Sequence, residues 1–151
     1  MSAVLAANVG FPLLPVLVVL PVLGALVIAL TPSTRPDVAR AIALSTTVMT
    51  AALGIYLLWN FETSNGTFQF ESDQSWIESF GISWLAGVDG ISLWLIVLTV
   101  LLFPLAIFAV VPEHSPKPYY AWLLILQTGC LGVFVALDLF MFFVFFEIVL
   151  V

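Results

Sequence analysis

Glu147 carries the strongest signal for chemistry in this chain, because it stands between Phe142-Phe143-Val144-Phe145-Phe146 and Ile148-Val149-Leu150-Val151. It lies eight residues past Leu139, where its apolar run begins. A helix would carry it about 12 Å deep, close to the middle of a hydrocarbon layer about 30 Å thick. An ionised carboxylate there costs at least about 2.5 to 3.5 kcal/mol, so it must be protonated, hydrated from inside a bundle or paired with a cation. Each condition suits a side chain that takes up and releases protons. The competing reading is a hydrogen bond that only packs helices.

Three further polar positions are candidates for accessory roles. Asp138 immediately precedes the same apolar run, but nine residues at 100° each place it half a turn from Glu147, so the two carboxylates form no dyad. Helix capping accounts for Asp138, and equally for Asp89 before Gly90-Ile91-Ser92-Leu93. Gln127, with Thr128, sits inside an apolar run beside Gly129 and Gly132. Two roles fit it: interhelical glue between closely approaching helices, or water coordination on a proton path. The three cations, Arg35, Arg40 and Lys117, all fall at the edges of apolar runs, so none can serve as a buried partner for Glu147.

The elements that must hold these residues follow from composition. Of 151 residues, 63% are hydrophobic and 8% charged, against about 25% charged in soluble domains. So few charges cannot coat a soluble fold, and lipid must solvate most of the surface. Three scattered cations build no nucleic-acid patch. The lone Cys130 rules out disulfide frameworks, and with the lone His114, read as solvated in the Pro112 to Pro118 connection, leaves no ligand set for zinc or iron-sulfur clusters.

Four apolar runs are long enough to cross: about Phe11 to Leu30, Val38 to Trp59, Ile91 to Val111 and Tyr119 to Leu137. The first lacks the basic start and cleavage site of a secretion signal and is expected to remain as a span. Pro12, Pro15, Pro21 and Pro104 are expected to bend their helices. A fifth run, Leu139 to Val151, has 13 residues, about 20 Å of helix, too short to cross. The expected architecture is all-α: a multi-pass transmembrane bundle of four full spans and an incomplete fifth. Residues 1–151 read as one transmembrane region at the start of a longer protein.

Residues 60–87 differ in kind, mixing Glu62, Glu71, Asp73 and Glu78 with Asn65-Gly66. They read as an aqueous loop, with a hairpin turn signalled at Asn65-Gly66 and an interfacial aromatic anchor formed by Trp76, Phe80 and Trp84. The cations lie in the first and third connections only. The positive-inside rule therefore puts those connections in the cytoplasm or matrix, and the N-terminus and the 60–87 loop outside.

Two stretches, Gly81-Ile82-Ser83-Trp84-Leu85-Ala86-Gly87-Val88-Asp89-Gly90-Ile91-Ser92 and Gly132-Val133-Phe134-Val135-Ala136-Leu137-Asp138-Leu139-Phe140-Met141-Phe142-Phe143-Val144-Phe145-Phe146-Glu147, resemble the antiporter-like chain M (subunit 4 type) of proton-pumping NADH:quinone oxidoreductase, respiratory complex I. The resemblance covers essentially the whole chain but about the first third of such a subunit. It implies a fold of about fourteen helices with two inverted five-helix repeats, in which Glu147 matches the fifth-helix glutamate that exchanges protons and pairs with a lysine on a later helix. It also implies that this chain holds no cofactor or metal. NADH, FMN, iron-sulfur clusters and quinone would belong to partner subunits, and its partners would be the other membrane subunits, homologous antiporter-like chains among them. The membrane would be the bacterial plasma membrane or the mitochondrial inner membrane. Two other functions compete: a subunit of the multisubunit cation/proton antiporters, which shares the Phe-Phe-Glu helix, and a small structural membrane protein.

Overall fold

The computed structural model describes residues 12–32, 35–62, 68–77, 82–112 and 115–151, and no side chain between 72 and 84. His114, Asn65-Gly66 and the aromatic anchor Trp76, Phe80 and Trp84 fall outside what is described. Four helices are long and apolar enough to cross a membrane: α1 (Leu13–Leu30), α2 (Pro36–Asn60), α3 (Gly90–Ala109) and α4 (Pro116–Val135). A shorter helix follows, α5 (Leu139–Leu150). In lipid every backbone polar group must be satisfied within the segment, so long apolar runs have no alternative to the helix.

The helix starts are set locally. Pro36 and Pro116 open α2 and α4, where a proline's missing N–H costs nothing and its fixed φ suits the first turn. Asp89 and Asp138 start α3 and α5 as side-chain caps. The helices α1 and α3 continue through Pro21 and Pro104.

α4 is the central helix, packed against α1, α2, α3 and α5. α5 rests on α4 through two glycines: a Cβ on Gly132 would overlap the Phe145 ring, and one on Gly129 would come within 2.8 Å of Val149 Cγ2. The absence of side chains there lets the two backbones approach.

The cations gather at one end. Lys117 donates to the Ala29 carbonyl in the last turn of α1 (3.0 Å), and Arg40 to the Phe108 carbonyl in the last turn of α3 (3.1 Å). These carbonyls have no partner within their own helices, and a cation complements the negative end of the helix dipole. Arg35 immediately precedes α2 at the same end.

At the opposite end the described part of the connection from α2 to α3 contains regular structure. A two-stranded antiparallel sheet forms from β1 (Gln69–Ile77) and β2 (Ile82–Val88), pairing Gln69 with Val88, Ser72 with Ala86 and Ile77 with Ile82. At the start of β1 a side chain ties the chain back to the end of α2: the Gln69 amide donates to the Glu62 carbonyl (2.6 Å) and accepts from the Glu62 N–H (2.9 Å). The register shifts between Gln69 and Ser72, where Phe70 has φ 57°, as an extra residue in one strand requires.

The end of β2 packs against the bundle. Ala86 and Val88 are fully buried, Ala86 bridges to Ala136, and the Leu137 N–H donates to the Leu85 carbonyl (2.9 Å). This clamp ends α4 at Val135, two residues before the apolar run stops, and fixes where α5 begins.

Candidate functional site

Glu147 sits three residues from the end of α5 in an unbroken apolar helix. Phe145 and Met141 are the residues that α5 buries. Glu147 follows Phe145 by two residues, a rotation of about 200°, so it faces away from α4. It is exposed, on a stripe it shares with the exposed Phe140, Phe143, Val144 and Leu150. No hydrogen bond or ion pair reaches its carboxylate among the described residues. The chain thus presents a carboxylate in the last turn of α5, on its own apolar outer surface.

Asp138 is engaged otherwise. Its Oδ1 accepts from the N–H groups of Phe140 (2.9 Å) and Met141 (3.1 Å), two of the donors that a helix N-terminus leaves free. Nine residues, about 14 Å of helix axis, separate it from Glu147.

Asp89 makes a full capping box. Its Oδ1 accepts from the Ser92 N–H (2.7 Å) while Ser92 Oγ accepts from the Asp89 N–H (2.9 Å). The Ser92 backbone N–H, then its hydroxyl, hold the Asp89 carboxyl below the usual carboxylate range, because both stabilise the ionised form. Both aspartates lie at the end of the bundle opposite the cations. The structure does not bring either of them to Glu147.

Gln127 belongs to a different feature, one that the spacing of single residues does not reveal. The buried core divides into two apolar clusters. One, toward the sheet, takes Val18 from α1, Ala51 from α2, Val100 from α3 and Leu131 from α4; the other, toward the cations, takes Ala25, Ala43, Ile107 and Leu124. Between them on three of the four helices stand residues of another kind: Pro21 and Gly24 on α1, Thr46, Thr47 and Thr50 on α2, Gln127 and Thr128 on α4, whereas α3 places Phe103 there. The core therefore carries a polar layer across its middle.

Within this layer the threonines satisfy themselves. Thr46 donates to Ile42 O, Thr47 to Ala43 O, Thr50 to Thr46 O and Thr128 to Leu124 O. Gln127 does not: it is fully buried, and neither its amide nitrogen nor its oxygen has a partner among the described residues. Pro21 stands at the same level of α1, and its ring nitrogen cannot donate to the Leu17 carbonyl one turn back. Gln127 precedes Gly129, which packs on α5, by two residues and so faces away from α5. Gln127 and Glu147 consequently lie on opposite sides of the α4–α5 pair. The threonines were legible only as an i, i+4 set, Thr46 and Thr50, in an apolar run.

No family model matches the chain. Curated relatives do. It is 38% identical over 143 residues to NAD(P)H-quinone oxidoreductase chain 4-2 of a Synechocystis species, a match covering 93% of this chain and 26% of that one. To the chloroplastic NAD(P)H-quinone oxidoreductase chain 4 of Chara vulgaris it is 34% identical over 143 residues, 93% of this chain and 29% of the relative. To NADH-ubiquinone oxidoreductase chain 4 of Marchantia polymorpha it is 35% identical over 138 residues, 89% and 28% respectively. The chain spans between a quarter and three tenths of the length of these relatives. A multi-pass helical chain with these similarities is homologous to the N-terminal part of chain 4 of the NAD(P)H-quinone oxidoreductases.

Proposed function

We propose that this chain works in the membrane arm of a proton-translocating NADH:quinone oxidoreductase, where Glu147 takes up and releases protons in step with quinone reduction. The observation that carries this reading is the Glu147 carboxylate, unpartnered among the described residues and set in an unbroken apolar helix on the face of α5 turned away from α4. An ionised carboxylate on such an apolar face is stable in the membrane only against a cation or water supplied from outside this face. The resemblance implies a lysine on a later helix as that cation. A proton arriving at Glu147 then weakens the pair and a proton leaving restores it, which couples protonation to the position of a neighbouring charge.

The names of the relatives support membership of a quinone oxidoreductase complex, with its other subunits as partners; the resemblance implies that redox cofactors and quinone are held by those subunits. The polar groups of this chain serve other ends. Asp89 and Asp138 cap helices at one membrane edge, and Gln127 lies in the core on the far side of α4. Of the candidate residues among those described, Glu147 is the one left to carry proton transfer. The cations at the opposite edge support a cytoplasmic or matrix location for that end, and an N-terminus outside.

The test is Glu147→Gln in the assembled complex. Glutamine keeps the volume and hydrogen-bonding reach of glutamate but carries no exchangeable acidic proton. Quinone reductase activity and proton uptake into vesicles, normalised to assembled complex, are expected to fall strongly with assembly intact. Wild-type pumping by the variant would reduce Glu147 to a packing residue.

A further inference from the structure

A groove of about 430 Å³ runs between α1 and α4 on the outer surface of the bundle, lined by Ala25 and Leu26 on one side and by Lys117, Ala121, Trp122 and Ile125 on the other. Lys117 is the only charged residue in the lining. It stands at one end of the groove, in the first turn of α4 and beside the last turn of α1, where its ammonium donates to the Ala29 carbonyl. A lysine ammonium has three protons to donate, so two remain. The rest of the groove extends toward mid-membrane, and its rims, Leu26 and Trp122, are 55% and 57% exposed.

The two ends of this groove ask for different chemistry. A soluble anion would meet Lys117 and leave the apolar length unfilled. A hydrocarbon would fill the length and leave the ammonium without a counter-charge. An amphiphile with a phosphate at one end and an acyl chain at the other satisfies both, and basic pockets between membrane helices at the cytoplasmic edge favour anionic head groups. Trp122, within two turns of Lys117, has the amphipathic ring that sits at head-group level.

We infer that the α1–α4 groove binds an anionic glycerophospholipid, its phosphate on Lys117 and one acyl chain along Ala25, Ala121 and Ile125. The site depends on the membrane location of α1 and α4 and not on proton transfer at Glu147.

The test uses the native assembly containing this chain, reconstituted in phosphatidylcholine vesicles doped with phosphatidylglycerol that bears a photoactivatable acyl chain. Adducts are expected on residues 22–29 and 117–125. Lys117→Gln should lower them several-fold, Lys117→Arg should restore them, and Ala121→Phe, which fills the groove, should abolish them. The same label on phosphatidylcholine should mark these segments several-fold less in the wild type, a comparison that stands even where a variant fails to assemble. Equal labelling by the two lipids, or unchanged labelling in Lys117→Gln, overturns the proposal. So does a disulfide or cross-link from Leu26→Cys to a neighbouring polypeptide in native membranes, which would make the groove a protein interface.

Discussion

Gln127 offers a test in which the sign of the effect runs against the usual expectation for a buried residue. Its side chain is fully enclosed, and neither amide atom has a partner among the described residues. An unsatisfied buried polar group costs about 1–3 kcal/mol, so the two together cost about 2–6 kcal/mol. Part of this is recovered in the reference state, because an unpacked helix in lipid also finds partners for its amide. Gln127→Met keeps the unbranched shape and nearly the volume while removing both polar atoms. It is expected to stabilise the protein by about 1–3 kcal/mol.

Gln127→Ala provides the control, since it removes the amide but leaves a cavity, and truncation of a large buried side chain to alanine costs about 2–5 kcal/mol. The expected order is Met above wild type, with Ala below both. Equilibrium unfolding of the full-length protein in mixed detergent micelles reads it. If Met falls as far as Ala, the amide is held by a partner in the folded protein and the reasoning from its unpaired geometry fails. Proton uptake measured on the same variants separates stability from any share of Gln127 in transfer, because a stable Met variant that pumps poorly would assign the amide to the proton path.

Asp89→Ala, which removes the α3 cap, is expected to cost about 0.5–2 kcal/mol, and Asp89→Asn little, in the same unfolding assay. Because hydrogen bonding lowers the Asp89 carboxyl in the folded state, its contribution is complete above the unfolded carboxylate value of about 3.9 and disappears as pH falls through the lower folded value; Asn should flatten that dependence. Gly132→Val is expected to separate α5 from α4, since even a Cβ there overlaps the Phe145 ring; loss of a disulfide trapped between Gly129→Cys and Val149→Cys in the Gly132→Val background would report it. For topology, a membrane-impermeant thiol reagent on intact cells should label Gly90→Cys, which has open space around it, and spare Ser115→Cys; the reverse pattern would invert the orientation.

The four spans were legible in the sequence because a run of about 20 apolar residues has one stable form in lipid, and the two aspartate caps because capping is settled within three residues. What could not be read from single segments was set by contacts distant in sequence. The β1–β2 pairing is placed by β2, whose Ala86 and Val88 bury against the bundle and whose backbone meets Ala136 and Leu137. That same clamp shortens α4 relative to its apolar run. The half-turn between Asp138 and Glu147 followed from helix geometry alone, but not which of the two faces α4. Gly129 and Gly132 decide that by admitting Val149 and Phe145, and a residue two positions from Phe145 has nowhere to point but outward. The direction of Glu147 is thus a consequence of two glycines on the neighbouring helix. A larger residue at Gly132 would disturb the carboxylate's orientation without touching it, so Gly132→Val should lower proton uptake in the assembled complex even though position 132 carries no titratable group.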